Sequence, residues 1–154
     1  MPICFYVNRR KESSKEIIYM SKKKHIDIYE TIYGVNIIVA NKYVTLKDLQ
    51  KSYTYHDGVI LDEDLISSQA CTAKCKDIKT GRYCILVKYN HDSVIKGVNK
   101  KVDLINTCSH EAVHVVMAIY AFIQEDVYPN DHNEHFAYLV GWTAEHIYET
   151  LTKK

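Results

Sequence analysis

In the first hundred residues the apolar positions come in short runs rich in β-branched and aromatic side chains. These are Cys4 to Val7, Val35 to Ala40 after Gly34, Val59 to Leu61 after Asp57-Gly58, and Tyr83 to Tyr89 after Thr80-Gly81-Arg82. Runs of this kind, bounded by turn formers, predict the strands of a small sheet. Between them, Ser14 to Met20 and Leu46 to Tyr53 predict two short helices, the second opened by Thr45 as N-cap with Asp48 at its third position.

From about position 103 the apolar period lengthens to that of a helix. A first long helix is predicted from about Asp103 to Gln124, with Asn106, Thr107 or Ser109 as caps. Val113, Val115, Val116, Met117, Ile119 and Phe122 make it apolar nearly all round, which predicts a helix buried in the domain centre. The stretch Glu125 to Asp131, with Pro129, breaks the pattern, and Asn130 or Asp131 then caps a second helix running to about Leu151. The predicted fold is α+β: a small mixed or antiparallel sheet packed on a buried helix and a second C-terminal helix. With five Gly, two Pro and no repeat, residues 1–154 form one domain, a β-rich part over 1–100 and a two-helix part over 103–152.

Composition narrows the function. At 154 residues, 47% hydrophobic and 25% charged, the chain can bury a core without metal or disulfide staples. A net charge of +1 argues against nucleic acid as partner. The basic runs Arg9-Arg10-Lys11 and Lys22-Lys23-Lys24 are most simply solvated. Cysteines at 4, 71, 75, 84 and 108 are odd in number and irregular in spacing, so a reducing compartment is expected rather than a secreted disulfide framework. No signal-peptide pattern opens the sequence. The apolar run Val115 to Ile123 is about half of what a bilayer-crossing helix needs, so no membrane association is expected.

The chemistry sits in His110-Glu111-Ala112-Val113-His114, an H-E-x-x-H string on the first long helix. Residues four apart share a helical face, so two imidazoles can bind one Zn2+. Glu111 beside them can take a proton from a water on the metal. Three titratable groups on an otherwise apolar helix are costly to bury without a partner such as a metal. A catalytic zinc needs a third protein ligand. The three-histidine extension fails, because position 117 is Met and position 120 is Tyr. The second helix offers Glu134, twenty residues after His114, with His135 and His132 as alternatives. Glu134, Ala137, Tyr138, Gly141 and Glu145 share one stripe, whose small residues would allow close helix approach. Tyr138, one turn on, is a candidate donor to a tetrahedral intermediate. Cys71, Cys75 and Cys84, with His56 or His91, make only a weak second zinc pattern, and Cys108 reads as a small buried residue.

Ser109-His110-Glu111-Ala112-Val113-His114, followed by Asn133-Glu134-His135-Phe136-Ala137-Tyr138-Leu139-Val140-Gly141-Trp142, resembles small zincin-like metallopeptidases of phages and mobile elements, and more distantly the ImmA/IrrE type. The resemblance covers about the last fifty residues. It implies a zincin-like domain in which His110, His114 and Glu134 hold zinc and Glu111 is the general base, acting on a protein or peptide substrate. It also implies that the strand Tyr83 to Tyr89 is an edge on which an extended peptide docks. The expected location is the cytoplasm of a bacterial host or a phage particle. A rival expectation is a non-catalytic structural or interaction protein, such as a particle component or cargo with assembly partners, that keeps the scaffold. A third is a metal-dependent regulator that cleaves or binds a repressor.

Overall fold

The computed structural model describes residues 22–127 and 133–154. The predicted strand Cys4 to Val7, the predicted helix Ser14 to Met20 and the cap candidates Asn130 and Asp131 lie outside the described residues. Within them the chain runs β1 (Ile26–Glu30), β2 (Asn36–Ala40), α1 (Leu46–Gln50), β3 (Tyr53–Tyr55), a 3-10 turn (Glu63–Ile66), β4 (Ala70–Asp77), β5 (Tyr83–Tyr89), α2 (Lys100–Ile123) and α3 (Glu134–Thr152). The five strands form one mixed sheet in the order β1-β2-β5-β4-β3. β2 and β5 are parallel, and every other neighbouring pair is antiparallel.

The two central strands decide the layering. β2 and β5 are buried on both faces and therefore read as near-continuous apolar runs, which is why both were legible from sequence. Val35, Ile37, Val39, Ile85, Val87 and Tyr89 turn to the upper face and meet Leu104, Cys108, Ala112, Val115 and Ile119 of α2 and Ile147 and Leu151 of α3. Ile38, Ala40, Cys84 and Leu86 turn to the lower face, covered by Val44 and Leu49 at α1 and by Leu61 and Leu65 at the 3-10 turn that follows β3. Full burial of each aliphatic side chain here contributes about 1.5–3 kcal/mol. The C-terminal half of α3 is tied to edge strand β1 by a hydrogen bond between Tyr29 Oη and Thr150 Oγ1 (2.7 Å) and by the Lys153–Asp27 ion pair (2.7 Å).

Several boundaries move for identifiable reasons. α1 keeps the expected Thr45–Asp48 capping box but stops at Gln50, and Tyr53 instead enters β3 with its ring in the lower core. Val59 to Leu61 is not a strand: Ile60 makes only an isolated bridge to Thr54, while Leu61 is a lower-core residue. α2 begins earlier than expected. Asn99 caps it by accepting from the Lys101 and Val102 amides, and Asn106, Thr107 and Ser109 lie inside it. Thr107 and Ser109 are accommodated by hydroxyl bonds to the carbonyls one turn back, at Asp103 and Ile105. Nor is α2 buried all round: Val113, Met117 and Phe122 are exposed, and only one face packs on the sheet. No helix among the described residues is long and apolar enough to cross a membrane.

Lys88 is the exception inside the core. It sits on β5, points to the lower face and is 2% exposed. Its Nζ donates to the carbonyls of Tyr89 (2.6 Å) and Asn41 (3.1 Å), and no carboxylate among the described residues pairs with it. Burial pushes its ammonium down to about 8. Between that value and the ordinary lysine range the unfolded chain carries a proton that the folded chain does not, so Lys88 makes stability rise with pH through this window and penalises folding below it. Replacing Lys88 by Met removes the effect. The stability difference between variant and wild type, measured by urea unfolding, is expected to shift by about 2–3 kcal/mol in favour of wild type from pH 7 to pH 10. A pH-independent difference would show that Lys88 stays protonated in the folded state.

Candidate functional site

The phase of α2 follows from its packing. With Leu104, Cys108, Ala112, Val115 and Ile119 on the sheet, and about 100° per residue, His110 and His114 fall on the face pointing away from it. Both are exposed. Their Nε2 atoms lie 3.1 Å apart and the ring centroids 4.7 Å, edge to face. Two nitrogens on one tetrahedral zinc at about 2.0–2.1 Å would be about 3.3 Å apart, so this spacing fits a shared ion.

Glu111 lies on the flank of α2 that faces β4 and is 5% exposed. Its Oε2 accepts a hydrogen bond from Thr72 Oγ1 at 2.6 Å. Of the three titratable groups in the H-E-x-x-H string only this one is buried. The expected cost of burying all three therefore does not arise, and the Thr72 hydroxyl satisfies one oxygen of the glutamate. One and two turns earlier on α2, Gln69 Nε2 donates to Thr107 Oγ1 (3.2 Å) and Asp103 Oδ2 (2.7 Å), pinning the start of β4 to the same flank.

The other expected ligands stay apart from this pair. Glu134 opens α3 and is exposed, with Ala137, Tyr138, Gly141, Trp142 and Glu145 around an open depression on the outer face. The predicted stripe exists, but it points away from the core rather than into the seam with α2. That seam is filled by larger groups, among them Tyr120 and Phe136 in edge-to-face contact at 5.3 Å. His135 is engaged by Tyr33, whose Oη lies 2.7 Å from Nε2. His132 is outside the described residues. Tyr138 is 75% exposed. Among the described residues no three His, Cys, Asp or Glu side chains gather as a metal group. The same holds for the weak cysteine pattern. Cys75 faces Cys84 across β4 and β5, both buried on the lower face with thiols pushed up to about 12 by desolvation. Cys71 stands opposite Lys88. His91 Nδ1 lies 2.9 Å from the Asp92 carbonyl oxygen. Cys108 is buried in the upper core, as expected.

The open strand is also not the expected one. β5 is flanked on both sides, by β2 and β4, and cannot receive a peptide. β4 can. β3 pairs only with Cys75 to Asp77, so among the described residues no strand covers the outer edge of Ala70 to Ala73. Asp77 donates its amide to Arg82 across the hairpin, whereas Lys74 offers its carbonyl outward to the His56 amide. By the alternation of an antiparallel ladder, Thr72 turns its own amide and carbonyl outward too. The residue that holds Glu111 by its side chain thus presents its main chain at an edge that no described strand covers. Thr72, Gln69 and all of β4 were missed from sequence; the available signal was the alternation of Cys71, Ala73 and Cys75 with Thr72, Lys74 and Lys76. Comparison with family models, with curated proteins and with solved structures finds no match to this chain.

Proposed function

We propose that the chain is a zinc-dependent peptidase in which His110 and His114 hold the metal and Glu111 serves as general base. The observation that carries this reading is the 3.1 Å convergence of the two imidazole Nε2 atoms one residue from a buried carboxylate. Zinc, when bound, would lower the pKa of water toward 7 and polarise a carbonyl. Thr72 fixes Oε2 of Glu111 and leaves the second oxygen to accept a proton from the attacking water and return it to the leaving amine. The outer edge of β4 at Thr72 would align an extended substrate by main-chain hydrogen bonds next to that carboxylate. Glu134 is the third donor the sequence offers, on the outward side of α3. The exposed α3 stripe favours the second reading, an interaction protein whose Glu134-to-Glu145 face meets an assembly partner.

Zinc content and hydrolysis separate the two readings. Full-length protein is expected to take up one zinc per chain in equilibrium titration, and the His110→Ala, His114→Ala double variant none. Glu111→Gln should keep the metal and lose cleavage of an unfolded protein substrate. Glu134→Ala should weaken zinc binding tenfold or more if Glu134 is a ligand, and leave it unchanged otherwise. Absence of zinc uptake by wild type together with no hydrolysis at any metal loading would leave the interaction reading standing.

Thr72 gives a separate test. Thr72→Val removes the hydroxyl that donates to Glu111 while preserving shape, and kcat is expected to fall about 10–100-fold with zinc content intact, as for other residues that orient a metal-site group. Thr72→Ser should restore most of the rate. Equal activity in the Val variant would show that Glu111 needs no support from β4.

A further inference from the structure

A cavity of about 200 Å³ opens farther along the flank of α2 that carries Glu111. Lys74 and His56 line it on the β4 side, Tyr83 and Ile85 on the β5 side, and Ala118 and Phe122 on α2. The helix carries small residues here, Ala118 and Ala121, and the rings of Tyr83 and Phe122, 6.1 Å apart, bound one end. A cavity of roughly 150 Å³ is enough for benzene, so this one has room for a single large apolar side chain and little more.

The charged side chain among its lining residues is a base. Lys74 and His56 are both exposed, the Lys76 ammonium sits 5.3 Å from the Tyr83 ring centroid close by, and no carboxylate is among the lining residues. An apolar floor beneath a basic rim suits a group that is apolar at one end and negatively charged at the other. Two residues back along the same strand, Thr72 turns its main chain to the outer edge, which no described strand covers, so a bound group continuing as a peptide would find hydrogen-bond partners there. We infer that the cavity binds a large apolar residue carrying a carboxylate, and that the adjacent edge makes it the C-terminal residue of an extended peptide, with Lys74 receiving the carboxylate. This site does not depend on zinc or on the peptidase reading.

Binding of small probes to the full chain, followed by NMR chemical shifts and without added metal, tests each part. N-acetyl-phenylalanine is expected to bind saturably, with shifts centred on Lys74, Tyr83 and Ala118, and at least fivefold tighter than N-acetyl-phenylalanine amide. Lys74→Glu, a change at an exposed position, should reverse that preference, and Ala118→Phe should abolish binding of both probes. Acetyl-Ala-Ala-Ala-Phe with a free C-terminus should bind about tenfold tighter than 3-phenylpropanoate, which has the same ring and carboxylate but no main chain. No saturable binding at millimolar probe would overturn the site. Equal binding of acid and amide would overturn the role of the basic rim, and equal binding of tetrapeptide and phenylpropanoate would overturn the peptide assignment.

Discussion

The seating of α2 on β5 and its neighbours is the constraint from which the rest follows. Leu104, Cys108, Ala112, Val115 and Ile119 form one stripe buried against Ile85, Val87 and Tyr89. Once that stripe is fixed, the rotation of the helix is fixed, and every other residue on it has its surroundings assigned. His110 and His114 must face out, and Glu111 must face β4. Rotating the helix enough to bury the histidines would expose aliphatic side chains worth about 1.5–3 kcal/mol each, far more than two surface imidazoles could return. The arrangement of a buried acid beside two exposed bases is therefore imposed by packing, and any chemistry at the string has to work within it.

Elements whose function is burial on two faces were legible in the sequence, and elements with one polar face were less so. β5 was read at its full extent and β2 to within one residue because both are sandwiched between two apolar layers. The capping box of α1 was legible because Thr45 and Asp48 make a local, sequence-encoded contact. β4 was invisible to a search for apolar runs: Ala-Cys-Thr-Ala-Lys-Cys-Lys-Asp is half small and half polar, and only its period of two marks it. The pairing of the two histidines was legible because helical spacing alone sets it. The place of Glu134 was not, because it depends on how α2 and α3 rotate against each other, and the large residues Tyr120 and Phe136 at their contact outweigh the small stripe Ala137-Gly141.

Missing β4 also concealed the group that completes the glutamate. A buried carboxylate with no partner is costly, and the sequence alone suggests a metal as the compensating group. Thr72 supplies a neutral alternative at 2.6 Å from the opposite element, thirty-nine residues away in sequence. The string's buried cost is thus met inside the protein fold, and a metal would find the carboxylate already oriented instead of having to organise it.

Glu111 and Lys88 show how the sheet keeps opposite charges from cancelling. Thr72, which holds the glutamate, is paired with Val87, and Lys88 is the next residue along β5. By the alternation of side chains in a strand, Glu111 meets the sheet from above and Lys88 hangs below, with the backbone layer between them. Each is therefore satisfied by neutral partners, a hydroxyl for the acid and two carbonyls for the amine, in place of an ion pair. A buried ion pair would have tied up both carboxylate oxygens and closed the flank of α2 against β4. Held by one hydroxyl of β4, the carboxylate meets a neutral donor above the sheet, while the Lys88 amine below it meets neutral acceptors.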